Sequence, residues 1–302
     1  MKTLRSVLLV AVLPLISFGQ TTNVIIHDTW ADGNRTSTGA DGSDIDSAWY
    51  SSSASTLTVP SAGDLRGTVG TGSSFWTTYF PSAVTLNNPG DALSLTWVFT
   101  PTGLNSGNAN QGFNLAVANT PGTQLTSDGS SPSQQIYAGY AMFMNMSPAL
   151  SNSFSLREWI LGGSGALLGT SANWGANGAS GSLASINGTG QAGYSSGFQY
   201  TFTMTFSLDT STNGTLDVIA TIAGSGLNGS GVMSVTNYDS TPNSLTFNTF
   251  AIRPTSAATS ASQFDSSLLS VEFIQPVPEP SIIALSGVAF VGLAAAIRRR
   301  RK

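Results

Sequence analysis

Five aspartates lie between Asp28 and Asp46 and form the densest group of candidate ligand atoms in the chain. Hard cations such as Ca²⁺ take several oxygen ligands, and the stretch ADGSDID supplies the carboxylates of Asp41, Asp44 and Asp46 around a glycine that lets the chain turn. The spacing differs from that of an EF-hand loop, and aspartates in turns also cap strands without binding metal. The segment therefore predicts either a structural Ca²⁺ site or solvated turn carboxylates.

Aromatic side chains are the second group with binding chemistry, because the C–H face of a pyranose ring packs on an indole or a phenol. Trp49, Tyr50, Trp76 and Trp174 are the candidates for a glycan contact. Large aromatics also fill the cores of β proteins, where they bury much apolar area. Neighbouring residues of a strand point to opposite faces, so we expect one of Trp49 and Tyr50 to be external.

Groups that could act in catalysis are few. The chain has no Cys and a single His, His27, which excludes a cysteine nucleophile and a thiolate zinc site. Glu158 and Glu272 are far apart in sequence, and neither lies in an E-x-D-x-x-E strand motif. Two aspartates could still serve a glycosidase. We predict a protein that is not an enzyme and needs no cofactor beyond the Ca²⁺ considered above, with a polysaccharide-active enzyme as the alternative.

Charge is sparse and unevenly placed, since 9% of the 302 residues are charged and the formal net charge is −4. Between Gln20 and Gln275 four arginines stand against fourteen acids, with no lysine, so this part has a net charge of −10. Nucleic-acid binding needs clustered cations, and no nucleic-acid partner is predicted. The 40% of hydrophobic residues are enough for a core, so we expect this part to fold.

Alternation of polar and apolar residues dominates the same part. In FQYTFTMTFSL every second residue from Phe198 to Leu208 is apolar, which predicts a half-buried antiparallel strand. The polar turn 209–214 connects it to TLDVIATIA, which alternates again and predicts a hairpin. Before residue 281 no segment keeps a helical period over three turns. Further strands are predicted at 24–27, 56–59, 75–80, 92–99, 113–118, 136–146, 154–161, 245–252 and 268–274.

The number and shortness of these strands predict an all-β fold for residues 20–275, an antiparallel β-sandwich of the jelly-roll type. A β-helix or an array of two sandwiches is the alternative, but no repeat with a fixed period of about 20–50 residues is present. Residues 260–267, SASQFDSS, have the composition of a linker. We predict a loop there, because the following SLLSVEFI is typical of a final strand.

The first nineteen residues predict a secretory signal peptide. Two cations precede an apolar run from Val7 to Ile16, and small residues end at Gly19, before a cleavage site at Gln20. About ten apolar residues are too few for a membrane span, which needs roughly 20. We expect residues 1–19 to be removed and the remainder to be exported.

The C-terminal residues 276–302 predict a membrane segment. Residues 281–297 carry no charge and would form about 25 Å of helix at about 1.5 Å per residue, the lower limit for a transmembrane helix. Positive residues stay on the cytoplasmic side, which predicts a single-pass inner-membrane intermediate with a cytoplasmic C-terminus. The basic cluster that follows the helix consists of Arg298, Arg299, Arg300, Arg301 and Lys302.

Pro278, Glu279 and Pro280 precede this helix, and the triplet, the apolar helix and the arginine cluster together resemble the PEP-CTERM sorting signal of exported bacterial proteins. The resemblance implies recognition by an exosortase-type membrane protease and a final place at the cell surface or in the extracellular matrix. The prolines would hold the triplet extended outside the membrane, where a protease could bind it. Cleavage of the tail and its retention as an anchor both remain open.

The layout of residues 24–274 resembles concanavalin-like and laminin-G-like jelly-roll domains, with a DGNR opening, a Trp-Tyr pair, the run GDALSLTWVF and a late hairpin. The likeness implies a fold and leaves the function open. We predict an exported cell-envelope or matrix protein that binds extracellular polysaccharide without catalysis. The alternatives are a secreted polysaccharide-active enzyme that uses Asp carboxylates and an inert structural matrix protein.

Overall fold

The computed structural model describes most of the part of the chain that was predicted to fold. Two compact units are distinguished, Thr22–Ile274 and a second unit made of Met1–Thr21 with Gln275–Lys302. In the second unit the Val277 amide donates to the Gly19 carbonyl oxygen over 2.9 Å. The described residues are 19–105, 110–129, 137–147, 154–160, 165–175, 186–187, 189–190, 193–210, 214–227 and 231–277.

Strands account for nearly all of the regular structure, with two short 3-10 turns at Ala54–Thr56 and Ser171–Asn173. No helix within the described ranges is long and apolar enough to cross a membrane. The predicted span at residues 281–297 lies outside them, as do the predicted signal peptide and the Pro278 to Pro280 triplet. The strands are β1 Gln20–Asp28, β2 Gly39–Asp41, β3 Asp44–Asp46, β4 Trp49–Ser51, β5 Leu57–Ser61, β6 Asp64–Thr68, β7 Trp76–Thr85, β8 Ala92–Leu104, β9 Phe113–Asn119, β10 Ala138–Met144, β11 Phe154–Trp159, β12 Trp174–Gly175, β13 Ile186–Asn187, β14 Thr189–Gly190, β15 Tyr200–Leu208, β16 Leu216–Ala223, β17 Val232–Asp239, β18 Thr246–Pro254 and β19 Ala261–Pro276.

The strands form two antiparallel sheets, which confirms the prediction of an all-β antiparallel sandwich. The first sheet has eleven strands, in the order β14-β17-β16-β15-β8-β19-β1-β3-β2, with β6 pairing with β19 and β5 pairing with β6. The second has eight, in the order β12-β11-β10-β9-β18-β7-β4, with β13 beside β11. Many neighbours are consecutive strands, but others are distant in sequence, as in β8 beside β19 and β9 beside β18, so the fold also depends on long-range pairing.

The hairpin predicted at residues 198–222 is present as β15 and β16, which pair from Thr201 with Ala223 to Leu208 with Leu216. Alternate residues of β15 are buried, as the periodicity predicts. The strand begins two residues later than the pattern suggested, because Phe198 is 46% exposed and lies outside the pairing.

The segment 260–267, predicted as a loop, is instead part of the long strand β19, and this expectation was wrong. Phe264 explains the difference, because its ring is fully buried and stacks on Phe113 at 4.7 Å between centroids. The same stretch pairs with β6 on one side and β8 on the other. A bulge between Ser266 and Leu268 interrupts the register with β8, so polar and apolar residues do not alternate regularly along this stretch.

The main core lies between the two sheets and is rich in aromatic rings. Trp97 and Phe99 of β8 stack at 4.1 Å, and Trp97 also contacts Phe250 of the opposite sheet edge-on. These rings are fully buried, as expected for the inner faces of a sandwich. A smaller apolar cluster covers the outer face of the second sheet; its buried members are Ala116, Ala118, Tyr137, Ala141, Phe143, Trp159, Leu167, Leu168, Trp174 and Ala251.

Candidate functional site

The aspartate segment folds into a tight hairpin of β2 and β3, turned by Gly42 at φ 63°. The carboxylate oxygens of Asp32, Asp41 and Asp46 lie within 4.8 Å of one another. Asp44 was predicted as a ligand, but it accepts hydrogen bonds from the amide and hydroxyl of Thr29. The structure brings Asp41 and Asp46 together, adds Asp32 from the loop after β1, and places Asp44 at the same recess. We call Asp32, Asp41 and Asp46 the acidic cluster.

Asp46 is the most buried member of the acidic cluster, with 5% of its surface exposed. Burial raises the pKa of its carboxyl above the usual value, and the charges of Asp32, Asp41 and Asp44 add to this, while a hydrogen bond from Ser37 opposes it. Asp32 is exposed and accepts from the Ser37 hydroxyl at 2.8 Å. The cluster thus concentrates negative charge around a carboxyl whose pKa is raised.

A Ca²⁺ ion would find three carboxylates here, in a recess of about 290 Å³. Calcium takes about six to eight oxygens, so water or backbone oxygens would have to supply the rest. The donor chemistry fits a hard cation, and Ca²⁺ binding stays a prediction.

Asp28, the first aspartate of the segment, has a structural role. Its carboxylate is buried and accepts from the Trp30 amide at 2.9 Å and from the Ser47 amide and hydroxyl at 3.0 and 2.8 Å. The Ser47 hydroxyl in turn accepts from the indole N–H of Trp49 at 3.0 Å. Trp30 has a left-handed φ of 54°, a conformation that a non-glycine residue adopts at a cost. Asp28 stabilises this turn, as capping aspartates do.

Three of the four aromatic candidates are buried in the protein rather than exposed to a glycan. Trp49, Trp76 and Trp174 have at most 2% of their surface exposed. Trp49 packs on Trp30 and Phe250. A buried indole offers no free face to a sugar, so these three predicted contacts are replaced by packing roles. Trp76 packs on Phe264 in the main core, and Trp174 on Trp159 in the outer cluster.

Tyr50 is the candidate that reaches the surface, because it alternates with buried Trp49 along β4. Its ring lies 6.4 Å from that of Tyr79 on the neighbouring strand β7, with the planes at 43°. The two half-buried rings line a groove of about 700 Å³ together with Asn23, Gln124 and Asp46. We call this the tyrosine groove. Asp46 belongs to it and to the acidic cluster, so the two sites adjoin.

The wall of the tyrosine groove formed by residues 124–126 is fixed by hydrogen bonds and an ion pair. The Tyr79 hydroxyl accepts from the Leu125 amide at 3.1 Å, and burial raises the pKa of this phenol. Asp128 pairs with Arg35 and accepts from the Ser51 amide at 2.8 Å. These contacts lower the pKa of the Asp128 carboxyl against the effect of its burial.

Sequence reasoning did not predict that Tyr79 lies beside Tyr50, nor that Arg35 pairs with Asp128. Tyr79 stood in an aromatic run without a mark of exposure, and 93 residues separate Arg35 from Asp128. His27 lies on β1, half-buried and paired with Ile45. Glu158 is fully buried and accepts from the Asn243 amide at 2.8 Å.

Comparison with known proteins identifies the C-terminal tail. Residues 276–301 match the PEP-CTERM protein-sorting motif. The chain thus carries the tail of exported proteins that an exosortase sorts at the cell envelope, as the triplet, helix and arginine cluster indicated. No curated protein sequence matches the chain significantly.

Several plant lectins are similar to the chain in structure. Peanut lectin is 12% identical, with 86% of this chain and 99% of the lectin covered and a TM-score of 0.46. Lectin I of Ulex europaeus is 11% identical, covering 84% and 98%, with a TM-score of 0.47. Arcelin-5, a lectin-like defence protein of Phaseolus vulgaris, is 14% identical, covering 84% and 98%, with a TM-score of 0.41.

Proposed function

We propose that this exported protein is a non-catalytic polysaccharide-binding component of the cell envelope or extracellular matrix. The observation that carries the proposal is the tyrosine groove, with two half-buried phenol rings 6.4 Å apart in a groove of about 700 Å³. The rings offer apolar faces to pyranose C–H groups, and Asn23 and Gln124 offer amide donors and acceptors to sugar hydroxyls.

The export route is part of the same proposal. A signal peptide at residues 1–19 would start secretion, and residues 281–297 would hold the chain in the inner membrane with Arg298 to Arg301 in the cytoplasm. An exosortase-type protease would then bind the triplet Pro278, Glu279 and Pro280. The sorting motif at residues 276–301 supports this order of events.

Binding of the full-length chain to insoluble polysaccharides tests the proposal, with the matrix of the producing cell among them. We expect saturable binding that Tyr50→Ala weakens about 10-fold or more, because aromatic anchors contribute about 2 kcal/mol and 1.4 kcal/mol is tenfold. Tyr79→Phe keeps the ring and loses the hydroxyl that accepts from the Leu125 amide, so it should weaken binding less than Tyr50→Ala does.

The matched control is Tyr238→Ala, which removes a tyrosine that is 71% exposed on β17 of the other sheet. It should leave binding unchanged. Failure of the native chain to bind any polysaccharide would favour the inert matrix protein, and equal losses in both alanine variants would contradict the groove as the site.

Polysaccharide hydrolysis is the second candidate, favoured by one observation. Asp46, whose pKa burial raises, lies with Asp41 and Asp32 in reach of the groove, and a glycosidase pairs a protonated carboxyl with an ionised one. Release of reducing ends from a bound polysaccharide, lost in Asp46→Asn, would replace the non-catalytic proposal with this one.

A further inference from the structure

The four arginines of Thr22–Ile274 divide into two paired and two unpaired groups. Arg35 pairs with Asp128, and Arg66 pairs with Asp64 and Asp265. Arg157 and Arg253 form no salt bridge with any carboxylate among the described residues. The internal segments outside the described ranges contain no Asp or Glu, so they cannot supply one.

Both unpaired arginines lie on the outer face of the second sheet. Arg253 of β18 is directly opposite Asn114 of β9, and Asn114 is opposite Phe143 of β10. The guanidinium of Arg157, from β11, lies 4.4 Å from the centre of the Phe143 ring. Strands in a sheet are about 4.8 Å apart, so the two arginines flank Asn114 from either side. We call Arg157, Asn114 and Arg253 the arginine face.

No acidic side chain shares this face among the described strands of the second sheet. Glu158 is the one acid in them, and it follows Arg157 directly, so it points to the opposite side of β11. Its carboxylate is fully buried and accepts from the Asn243 amide. The strands of the first sheet carry most of the acids of the unit, including Asp41, Asp217 and Glu272. The arginine face is therefore positive in a unit with a large negative charge.

Several polar atoms of the arginine face have no hydrogen-bond partner among the described residues. The Nε atoms of Arg157 and Arg253 and the Oδ1 atom of Asn114 are buried and have no hydrogen-bond partner there. Asn114 is 2% exposed. Arg157 donates one bond, to Gln111 Oε1 at 2.7 Å, and Arg253 one, to the Ser73 hydroxyl at 2.9 Å. Buried polar groups are normally satisfied, so three unpaired atoms on one face of the second sheet point to a ligand.

The aromatic rings beneath the guanidinium groups hold them in place. Arg157 lies over Phe143, and Arg253 lies 5.1 Å from the centre of the Phe75 ring. Stacked guanidiniums are oriented with their N–H forks to the side, the geometry that binds a planar carboxylate. Burial lowers the pKa of both groups, a cost that an anionic ligand would relieve.

We propose that the arginine face is a second binding site, which takes a polysaccharide bearing carboxylates, with one carboxylate on Arg157, another on Arg253 and a sugar hydroxyl donating to Asn114 Oδ1. A uronic acid carries a carboxylate and hydroxyls on one ring, and this matches two donors and one acceptor. An acidic peptide of Asp and Glu lacks the ring hydroxyls that a uronic acid carries beside its carboxylate. The site is separate from the tyrosine groove and does not depend on it.

Soluble polygalacturonate tests the proposal by calorimetry with the full-length chain. We expect binding that weakens with added salt and that is stronger than the binding of methyl-esterified polygalacturonate or of neutral dextran. Arg157→Gln and Arg253→Gln should each weaken it about 10-fold or more. Arg66→Gln removes the same charge from the first sheet and should leave the binding unchanged.

Asn114→Asp provides a test that does not depend on removing an arginine. The new carboxylate would lie between the two guanidiniums and accept hydrogen bonds from them. This variant should therefore melt at a higher temperature and lose polygalacturonate binding. Absence of binding by the native chain would overturn the proposal. Equal binding of polyglutamate, or equal losses in Arg66→Gln, would also overturn it by indicating a general response to polyanions.

Discussion

Asp46 shows what the sequence could and could not indicate at the scale of single residues. Its membership of a carboxylate cluster was predictable, because Asp41 and Asp46 are held on paired strands of one short hairpin. The participation of Asp32 was not, since it depends on how the loop after β1 returns toward β3. Tyr50 was predictable as one of a pair, but alternation alone could not say which of Trp49 and Tyr50 faces outward.

Asp46→Asn should make the protein more stable at pH 7. The pKa of Asp46 is raised in the folded state, so its stabilising contribution is complete below the unfolded pKa of about 3.9 and is lost as pH rises through the folded value. A neutral Asn avoids that loss, and the advantage should disappear toward pH 3. Melting temperature measured against pH checks this, with Glu272→Gln on β19 as a control.

Added Ca²⁺ provides a second measurement on the same pair of proteins. If the acidic cluster binds the ion, Ca²⁺ raises the melting temperature of the native chain, since a ligand of the folded state stabilises it, and raises that of Asp46→Asn much less. Equal shifts would argue for solvated turn carboxylates. An Asp46→Asn variant that is less stable than the native chain at pH 7 would contradict the electrostatic account.

At the scale of elements, strands with regular alternation were predictable and interrupted ones were not. Each predicted strand coincides with an observed one, from β1 to β19. The bulge in β19 interrupts the alternation in the first half of that strand. In β17 only Met233 and Val235 alternate as buried apolar residues. Short strands such as β2 and β3 carry too few residues for a period to be detected. β3 pairs with β1, and β2 pairs with β3.

Gly67→Ala should destabilise the contact between the two sheets. Gly67 of β6 has no side chain, and a Cβ there would meet the Trp76 ring of β7 at 2.2 Å. Overpacking of this kind costs about 1–3 kcal/mol, or about 2–4 °C of melting temperature for each kcal/mol at this size. Gly70→Ala is the control, because no atom lies within 4 Å of its Cβ. Equal melting of the two variants would contradict this packing.

At the scale of the whole molecule, charge is separated by sheet. The strands of the first sheet carry most of the acids, and the outer face of the second carries the two arginines without a carboxylate partner in the part of the chain that the structure describes. Composition gave the net charge of −10 between residues 20 and 275 and argued against nucleic acid as a partner, but it could not reveal this separation. Arg35 and Arg66 pair with Asp128 and Asp265, which are far away in sequence, and Arg157 and Arg253 are left without a carboxylate partner among the described residues. Only the fold determines which arginines are paired.

The tail makes a prediction for the complete protein. If an exosortase cleaves the motif at residues 276–301, the mature protein should lack the arginines from Arg298 to Arg301. Intact mass measured on envelope and matrix fractions checks this. Glu279→Ala should accumulate in the inner membrane at full mass. A native mass that extends to Lys302 in every fraction would mean that the tail is an anchor.

The position of β19 affects how the protein would resist pulling. This strand lies inside the first sheet, between β8 and β1, and its register with β8 runs from Ala261 with Leu104 to Ile274 with Ala92. The tail continues from its end. Tension applied through the tail acts along the strand, so the ladder of hydrogen bonds is loaded in shear and shares the force. A protein that is anchored by its tail and bound to a polysaccharide network could therefore bear tension without its strands separating one hydrogen bond at a time.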